Sequence, residues 1–501
     1  MMPTQKRVKT VNRLLVLCSY LFLTALIFLI LWDIQFQTSY LVGHDAWYHI
    51  KMAEIFLKNG LIHKFPWLYY TTLNQNYIDH QFIFHLILIP FYLIFGAVQG
   101  LKIYTVASLT TVFILVYYLL RYYKIKLALV WTLLLFTVPY DFFFRMNLGR
   151  IMSLALIFML LGLHWAFQKK YVLLAILSFL FVWTYGGFVY LPVLIAIYFL
   201  VQYLRNGQVD WKLLLFCFGG TLAGTILNPF FPNLFKFLYT QIFSTGLGNI
   251  VPGTGGEWGS YKAWQITSMG IVTFGIATLA VLISFLKNLK QDSRAITFFS
   301  ISLLFLFLML KAMRFVEYWP VFAILASAFL LNPWLSQITE RWKTKKDFFV
   351  LLPVLAVLFF CFNYSTRNIT RVKQDMRISI NYKTTEQTMD FLKQKSQAGD
   401  IVFTDDWDVF PFYFFFNDKN YYIVGLDPAF LYDYSSDLGQ KFSALSSGRD
   451  GRNLQWIKTD FNARWVVVHD RHQSFESNLR QKPDQFEPMF ENSDYAIFKV
   501  L

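Results

Sequence analysis

Long stretches of this chain contain no charged residue. Leu14–Trp32, Leu127–Pro139, Ile151–Phe167 and Phe348–Cys361 are such runs. Each approaches or reaches the length at which an apolar helix crosses a bilayer. The chain is 56% hydrophobic and 15% charged, with 55 Phe in 501 residues, which is too apolar for a soluble protein of this size. The expected fold class is therefore a polytopic α-helical membrane protein. Leu14–Trp32 does not read as a signal peptide, because it is long and no small-x-small cleavage site follows it.

The net charge of +15 comes from 45 basic and 30 acidic residues. The basic residues cluster in short loops, as expected for loops held on the cytoplasmic side and for contact with anionic lipid headgroups. They form no continuous patch, so nucleic acid is excluded as a partner. The three cysteines, Cys18, Cys217 and Cys361, all lie in apolar runs. The C-terminal part has none, and so has neither a disulfide framework nor a Cys-based zinc site. No internal repeat is evident.

Charge sets the expected topology. Lys6, Arg7, Lys9 and Arg13 hold the N-terminus in the cytoplasm, and the first run crosses outward. Residues 33–80 form a first external loop, in which Asp45 to Lys58 reads as a surface helix with Asp45, His49, Met52 and Phe56 along one side. His80–Phe95 is short and apolar, an interfacial or re-entrant helix. If it crossed fully, the basic cluster Arg121–Lys126 would face outside. Further spans follow at 101–120, 127–139, 151–167, 171–184, 187–204, 213–228, 265–286, 295–310, 315–331 and 348–363. That makes about eleven, with a long Gly/Pro-rich external loop at 229–264. The expected domains are thus 1–363, embedded in the plasma membrane, and 364–501, a soluble extracytoplasmic α/β domain. In the latter Thr384–Gln394 reads as a helix, and Asp400–Thr404, Arg464–His469 and Tyr495–Val500 read as strands.

Five groups of residues carry chemistry. Asp45, His44, His49, Asp79, His80 and His85 gather carboxylates and imidazoles between residues 44 and 85, where five of the eight histidines lie. Asp45 and His49, one helical turn apart, with Asp79 and His80, suit a divalent cation such as Mn²⁺, Zn²⁺ or partly hydrated Mg²⁺. The plainer reading is interfacial histidines with an Asp capping a helix. Arg145 and Arg150, near Asp141, either grip phosphate oxygens or snorkel to headgroups. Arg314 and Glu317, three residues apart, either neutralise one another or leave Arg314 to bind phosphate with Glu317 orienting it. Glu257 lies in a glycine-rich loop with Trp258 and Tyr261, which is either a loop that orders on a substrate or a solvated linker. Asp405-Asp406-Trp407-Asp408 follows a strand and either binds a polar acceptor or cation or forms an acidic turn. No nucleotide-binding glycine loop, Ser-centred nucleophile elbow or HExxH motif is present.

In order and topology these landmarks resemble the GT-C-fold glycosyltransferases, closest to the single-chain catalytic subunit of oligosaccharyltransferase, over about residues 14 to 430. His44-Asp45-Ala46-Trp47-Tyr48 matches the Asp that follows the first span in that family. Arg145 in Phe144-Arg145-Met146-Asn147 matches its second-loop Arg, and Met313-Arg314-Phe315 with Pro320 matches its late Arg-Phe. Glu257 stands for its mobile-loop Glu, and Asp406-Trp407-Asp408 for its Trp-Trp-Asp acceptor motif. Two features depart from the pattern. Gly149-Arg150-Ile151 stands where the family has an acidic metal-binding pair, and the acceptor motif lacks the double Trp.

The resemblance implies a membrane enzyme that transfers a sugar or oligosaccharide from a polyprenyl phosphate or diphosphate carrier to a protein or glycan acceptor. Asp45 and Glu257 would be catalytic, and Arg145, Arg150 and Arg314 would bind the lipid phosphate. Asp45, His49, Asp79 and His80 would hold a metal, Mn²⁺ or Mg²⁺. Asp406, Trp407 and Asp408 would bind the acceptor. A transporter or flippase for lipid-linked glycans, or a non-catalytic envelope scaffold, is the alternative.

Overall fold

The structure is a computed structural model. It describes residues 3–240, 255–262, 264–265, 270–344, 351–377 and 382–501. Parts of the expected loop 229–264, and the first residues of the expected spans at 265 and 348, lie outside the described residues. The chain forms two compact units.

The first unit takes residues 1–39, 102–224 and 259–378 and is helical. Helices Met152–Phe167, Tyr171–Thr184, Tyr190–Asn206, Ile271–Leu286, Ser293–Lys311 and Trp319–Thr344 fall on the apolar runs. Among the described residues, four helices are long and apolar enough to cross a membrane: Val16–Gln35, Ala97–Tyr122, Ser293–Lys311 and Trp319–Glu340. Ala128–Thr137 with Tyr140–Met146 makes a fifth if counted as one broken span, and five shorter apolar helices accompany them. The expectation of many apolar helices holds, while length and composition alone do not reach eleven full spans.

Two local features shape this unit. The broken span bends by 91° at Val138-Pro139. Proline pushes its predecessor out of the helical region, and Val138 is extended at ψ 169°. The bend starts the short helix that carries Asp141 and Arg145. Elsewhere Gly220 and Gly224 bring Trp211–Ile226 against Tyr171–Thr184. A Cβ at Gly220 would collide with the Ala175 carbonyl, and one at Gly224 would lie 2.7 Å from the Phe179 carbonyl oxygen. Such small-xxx-small spacing lets backbones approach closely where lipid gives no hydrophobic drive.

The second unit takes residues 40–101, 225–258 and 379–501. Its centre is a five-stranded mixed sheet, β1 (Ile401–Thr404), β2 (Tyr421–Tyr422), β3 (Trp465–His469), β4 (Phe486–Glu491) and β5 (Tyr495–Val500), in the order β2-β1-β3-β5-β4. β1 is parallel to β2 and β3, and β5 is antiparallel to β3 and β4. Three of these strands match the sequence expectation. The first loop extends the sheet, because Leu68 bridges Tyr422 in parallel. Tyr69 N–H donates to the Tyr422 carbonyl (2.9 Å), and Tyr422 N–H to that of Trp67 (2.8 Å).

Helix His44–Asn59, expected at the surface, is instead buried on more than one side, with Ala46, Trp47 and Ile50 inside as well as His49, Met52 and Phe56. It packs on the aromatic helix Phe410–Phe416, with Trp47 4.8 Å from Phe415 and 5.4 Å from Phe416. Full burial of each such Phe contributes roughly 1.5–3 kcal/mol. The helix Leu351–Arg377 runs unbroken past residue 363.

Candidate active site

In the second unit three of the sequence landmarks meet. Asp405 to Asp408 follow β1 at the carboxyl end of a strand flanked on both sides by parallel neighbours, where open α/β sheets hold ligands. His44 Nδ1 lies 3.2 Å from Asp408 Oδ2. The acidic turn therefore sits at the start of the helix that carries Asp45. Glu257 belongs to the one-turn 3-10 segment Gly256–Trp258. A Cβ at the preceding Gly255 would be 3.9 Å from the Trp407 ring and 3.8 Å from Glu257 Cγ. Gly255 thus lets the loop lie against Trp407.

The acids of this turn are set apart by their surroundings. Asp405 is 1% exposed. Its Oδ2 accepts from the His469 backbone N–H at 2.6 Å. Burial, with Asp406 beside it, pushes its carboxyl up to about 8, so it is neutral at pH 7. Burial and then Asp408 also raise Asp406. Burial works to raise Asp408 too, but the His44 ring and Arg471 outweigh it and hold Asp408 below the usual carboxylate range. Acids driven apart in this way differ in charge: burial disfavours the charge on Asp405, whereas His44 favours it on Asp408. His472, which follows β3, completes the group at 3.6 Å from Asp405 Oδ2 and 3.9 Å from Asp406 Oδ2. The sequence reading missed it, although its place just after the strand parallel to β1 is the signal that finds it.

Behind Asp45 runs a buried chain. His85 Nδ1–H donates to Asp79 Oδ2 at 2.6 Å, and His49 Nδ1 and His85 Nε2 share a bond of 2.9 Å. All three residues are buried. With its Nδ1–H given to Asp79, His85 presents Nε2 as the acceptor for His49 Nδ1–H.

This geometry corrects the expected metal set of Asp45, His49, Asp79 and His80. Both Asp79 oxygens are engaged, Oδ1 by the Gln81 N–H (2.8 Å) and Oδ2 by His85. His80 stacks on Phe237 with ring centres 4.7 Å apart. Among the described residues no group of three or more His, Cys, Asp or Glu is placed to hold a metal. Asp79 and His49 are joined through His85 instead.

The first unit holds the cationic group. Glu317 is buried at 1% exposure. Arg145 Nε and Nη2 each lie 2.7 Å from its Oε1, and Arg150 Nη1 lies 3.9 Å from the same oxygen. Glu317 and Arg314 share the short 3-10 helix Met313–Glu317. Glu317 thus serves the second-loop arginines, a pairing that the spacing of Arg314 and Glu317 did not reveal. Beyond Glu257 the chain is pinned within this unit. Met313 N–H donates to the Gly259 carbonyl (2.9 Å), and Tyr261 O–H to Asp141 Oδ2 (2.7 Å).

The sequence matches the family model described as the EpsG family over residues 63–382. None of the curated proteins compared matches it. Among solved structures, it is similar to the archaeal oligosaccharyltransferase AglB from Archaeoglobus fulgidus in complex with an inhibitory peptide and a dolichol-phosphate. The TM-score is 0.67 and the identity 11%, over 90% of this chain and 69% of that one. The same enzyme tethered to an acceptor peptide containing the NVT sequon gives a TM-score of 0.64 at 12% identity, with the same coverage of 90% and 69%. ArnT from Cupriavidus metallidurans bound to undecaprenyl phosphate gives a TM-score of 0.58 at 14% identity, over 96% of this chain and 98% of that one. At these identities the likeness is one of fold, and the fold is GT-C, as the residues led us to expect.

Proposed function

This chain belongs to the EpsG family, and from that premise we propose that it is a membrane glycosyltransferase that moves a sugar or oligosaccharide from a polyprenyl phosphate or diphosphate carrier to an extracytoplasmic protein or glycan acceptor. The observation that carries the proposal is the 3.2 Å contact between His44 and Asp408. It joins the Asp45 helix to the acidic turn, with Gly255, two residues before Glu257, against Trp407. A carboxylate flanked by imidazoles and an acidic, aromatic turn is what an acceptor hydroxyl or amide needs for orientation and deprotonation. The bound ligands of the similar structures, dolichol-phosphate and undecaprenyl phosphate, support a polyprenyl carrier.

In the proposed reaction an acceptor oxygen or nitrogen attacks the anomeric carbon. The bond from that carbon to the phosphate oxygen breaks, and the phosphate leaves with the electron pair. The acceptor proton passes to Asp45, with the His49–His85–Asp79 chain one turn along as its reserve of basicity. Asp408 and Trp407 hold the acceptor, and Glu257 closes over it. Arg145, Arg150 and Arg314 bind the carrier phosphate and stabilise its growing charge. Three guanidinium groups against the carboxylates of Glu317 and Asp141 leave this cluster cationic. No step runs through a metal ion.

The test is mass spectrometry of envelope glycans and glycoproteins from host cells lacking this protein, complemented with wild type or Asp45→Asn. Wild type should restore a specific glycan species, and Asp45→Asn should leave it missing. Equal restoration by both would sink the proposal and favour a transporter or scaffold.

A further inference from the structure

The second unit contains a cleft that none of these roles uses. It has a volume of about 630 Å³, within the range of small-ligand sites. Three distant segments build it: residues 69–78 of the first loop, helix Asn233–Tyr239, and the end of helix Ala429–Tyr434. Thr72 N–H donates to the Phe430 carbonyl at 3.2 Å and ties two of them together.

Its chemistry is specific. Phe237 and Phe430 stack in the floor with ring centres 5.8 Å apart. At the rim Tyr69 and Tyr434 are 38% and 51% exposed, a high share for such large apolar rings. The amides of Asn76 and Asn233 also line the cleft, each with donors and an acceptor. Asp433 accepts from Thr240 O–H at 2.7 Å and keeps acceptor capacity beyond that bond. Among the described residues that line it, one cation, Lys236, balances one carboxylate, Asp433, which favours a neutral ligand over a phosphate. Ring faces that cover C–H surfaces, set among paired amide and carboxylate groups, match a neutral sugar, which presents an apolar face and vicinal hydroxyls.

We propose that this cleft binds a neutral oligosaccharide, the part of the acceptor or product glycan remote from the reacting end. Its link to the glycan of this enzyme rests on the glycosyl-transfer reading above. A remote subsite of this kind retains a growing chain between transfers and adds affinity away from the bond being made.

The experiment uses the full chain in detergent and neutral fragments cut from the host's own surface polysaccharide by partial hydrolysis. Binding is read by saturation-transfer NMR, independently of turnover. Wild type and Asp45→Asn should both bind the fragments. The double variant Asn76→Ala/Tyr434→Ala alters exposed side chains, which spares the fold, and should weaken binding about tenfold or more. Thermal melts confirm that it is folded. No binding by wild type, or equal binding by the double variant, overturns the cleft assignment. So does binding lost in Asp45→Asn but kept in the double variant. The transfer reading fails separately, by activity retained in Asp45→Asn, whatever the fragments do.

Discussion

At the scale of single residues, burial decides what each acid does. Asp405 ionises near about 3.9 when unfolded but only at about 8 when folded, because burial opposes its charge. Between those values the folded chain keeps a proton that the unfolded chain has lost. Its contribution to stability is therefore full below pH 4 and falls as pH rises to 8, by about 1.4 kcal/mol per pH unit at most. Asp405→Asn should flatten that slope and raise the melting temperature at pH 8 relative to wild type, while changing little at pH 4. Melts that fall in parallel for both proteins would refute the buried neutral acid. The Asp79–His85–His49 chain gives a second prediction. His85→Ala should lower turnover per folded molecule by about 10²-fold. A variant that merely expresses less, with turnover per folded molecule unchanged, would assign the chain a structural role.

At the scale of elements, close backbone approach and a proline shape the first unit. Gly220 has no room for a side chain against Ala175, whereas a Cβ at Gly219 meets nothing within 4 Å. Gly220→Val should therefore destabilise the protein in detergent by about 1–3 kcal/mol, read as a lower melting temperature, and Gly219→Ala should be tolerated. Equal effects would remove the helix contact as the cause. The Val138-Pro139 break has its own logic. Without it the helix would run on, and Arg145 would turn away from Glu317, its 2.7 Å partner.

At the scale of the whole molecule, the second unit draws on three stretches of chain. The C-terminal stretch alone lacks the Leu68 neighbour of β2 and the helix that covers Phe410–Phe416. Residues 379–501 expressed alone should show an open, poorly dispersed amide spectrum with an exposed apolar face, even though the segment is long enough for a domain. A well-dispersed spectrum from that fragment would show that the first loop decorates the fold rather than completing it.

Much of this protein follows from its sequence. Charge-free runs placed apolar helices such as Met152–Phe167, Tyr171–Thr184 and Ser293–Lys311 to within a few residues, because a bilayer demands apolar length and internal hydrogen bonding, while Trp319–Thr344 and Leu351–Arg377 run well past their expected ends. Short β-branched and aromatic runs gave three of the five strands. The Asp45 helix followed from 3.6-residue spacing, but its burial did not, since that comes from packing against Phe410–Phe416. Partnership was another matter. Nothing local says that Asp79 is spent on His85 rather than on a metal, that Glu317 holds Arg145, or that His44 reaches Asp408. Those pairs lie from 6 to 364 residues apart. Only packing brings them together, and a buried carboxylate takes whichever donor the tertiary structure delivers, since leaving it alone costs far more than any local preference supplies.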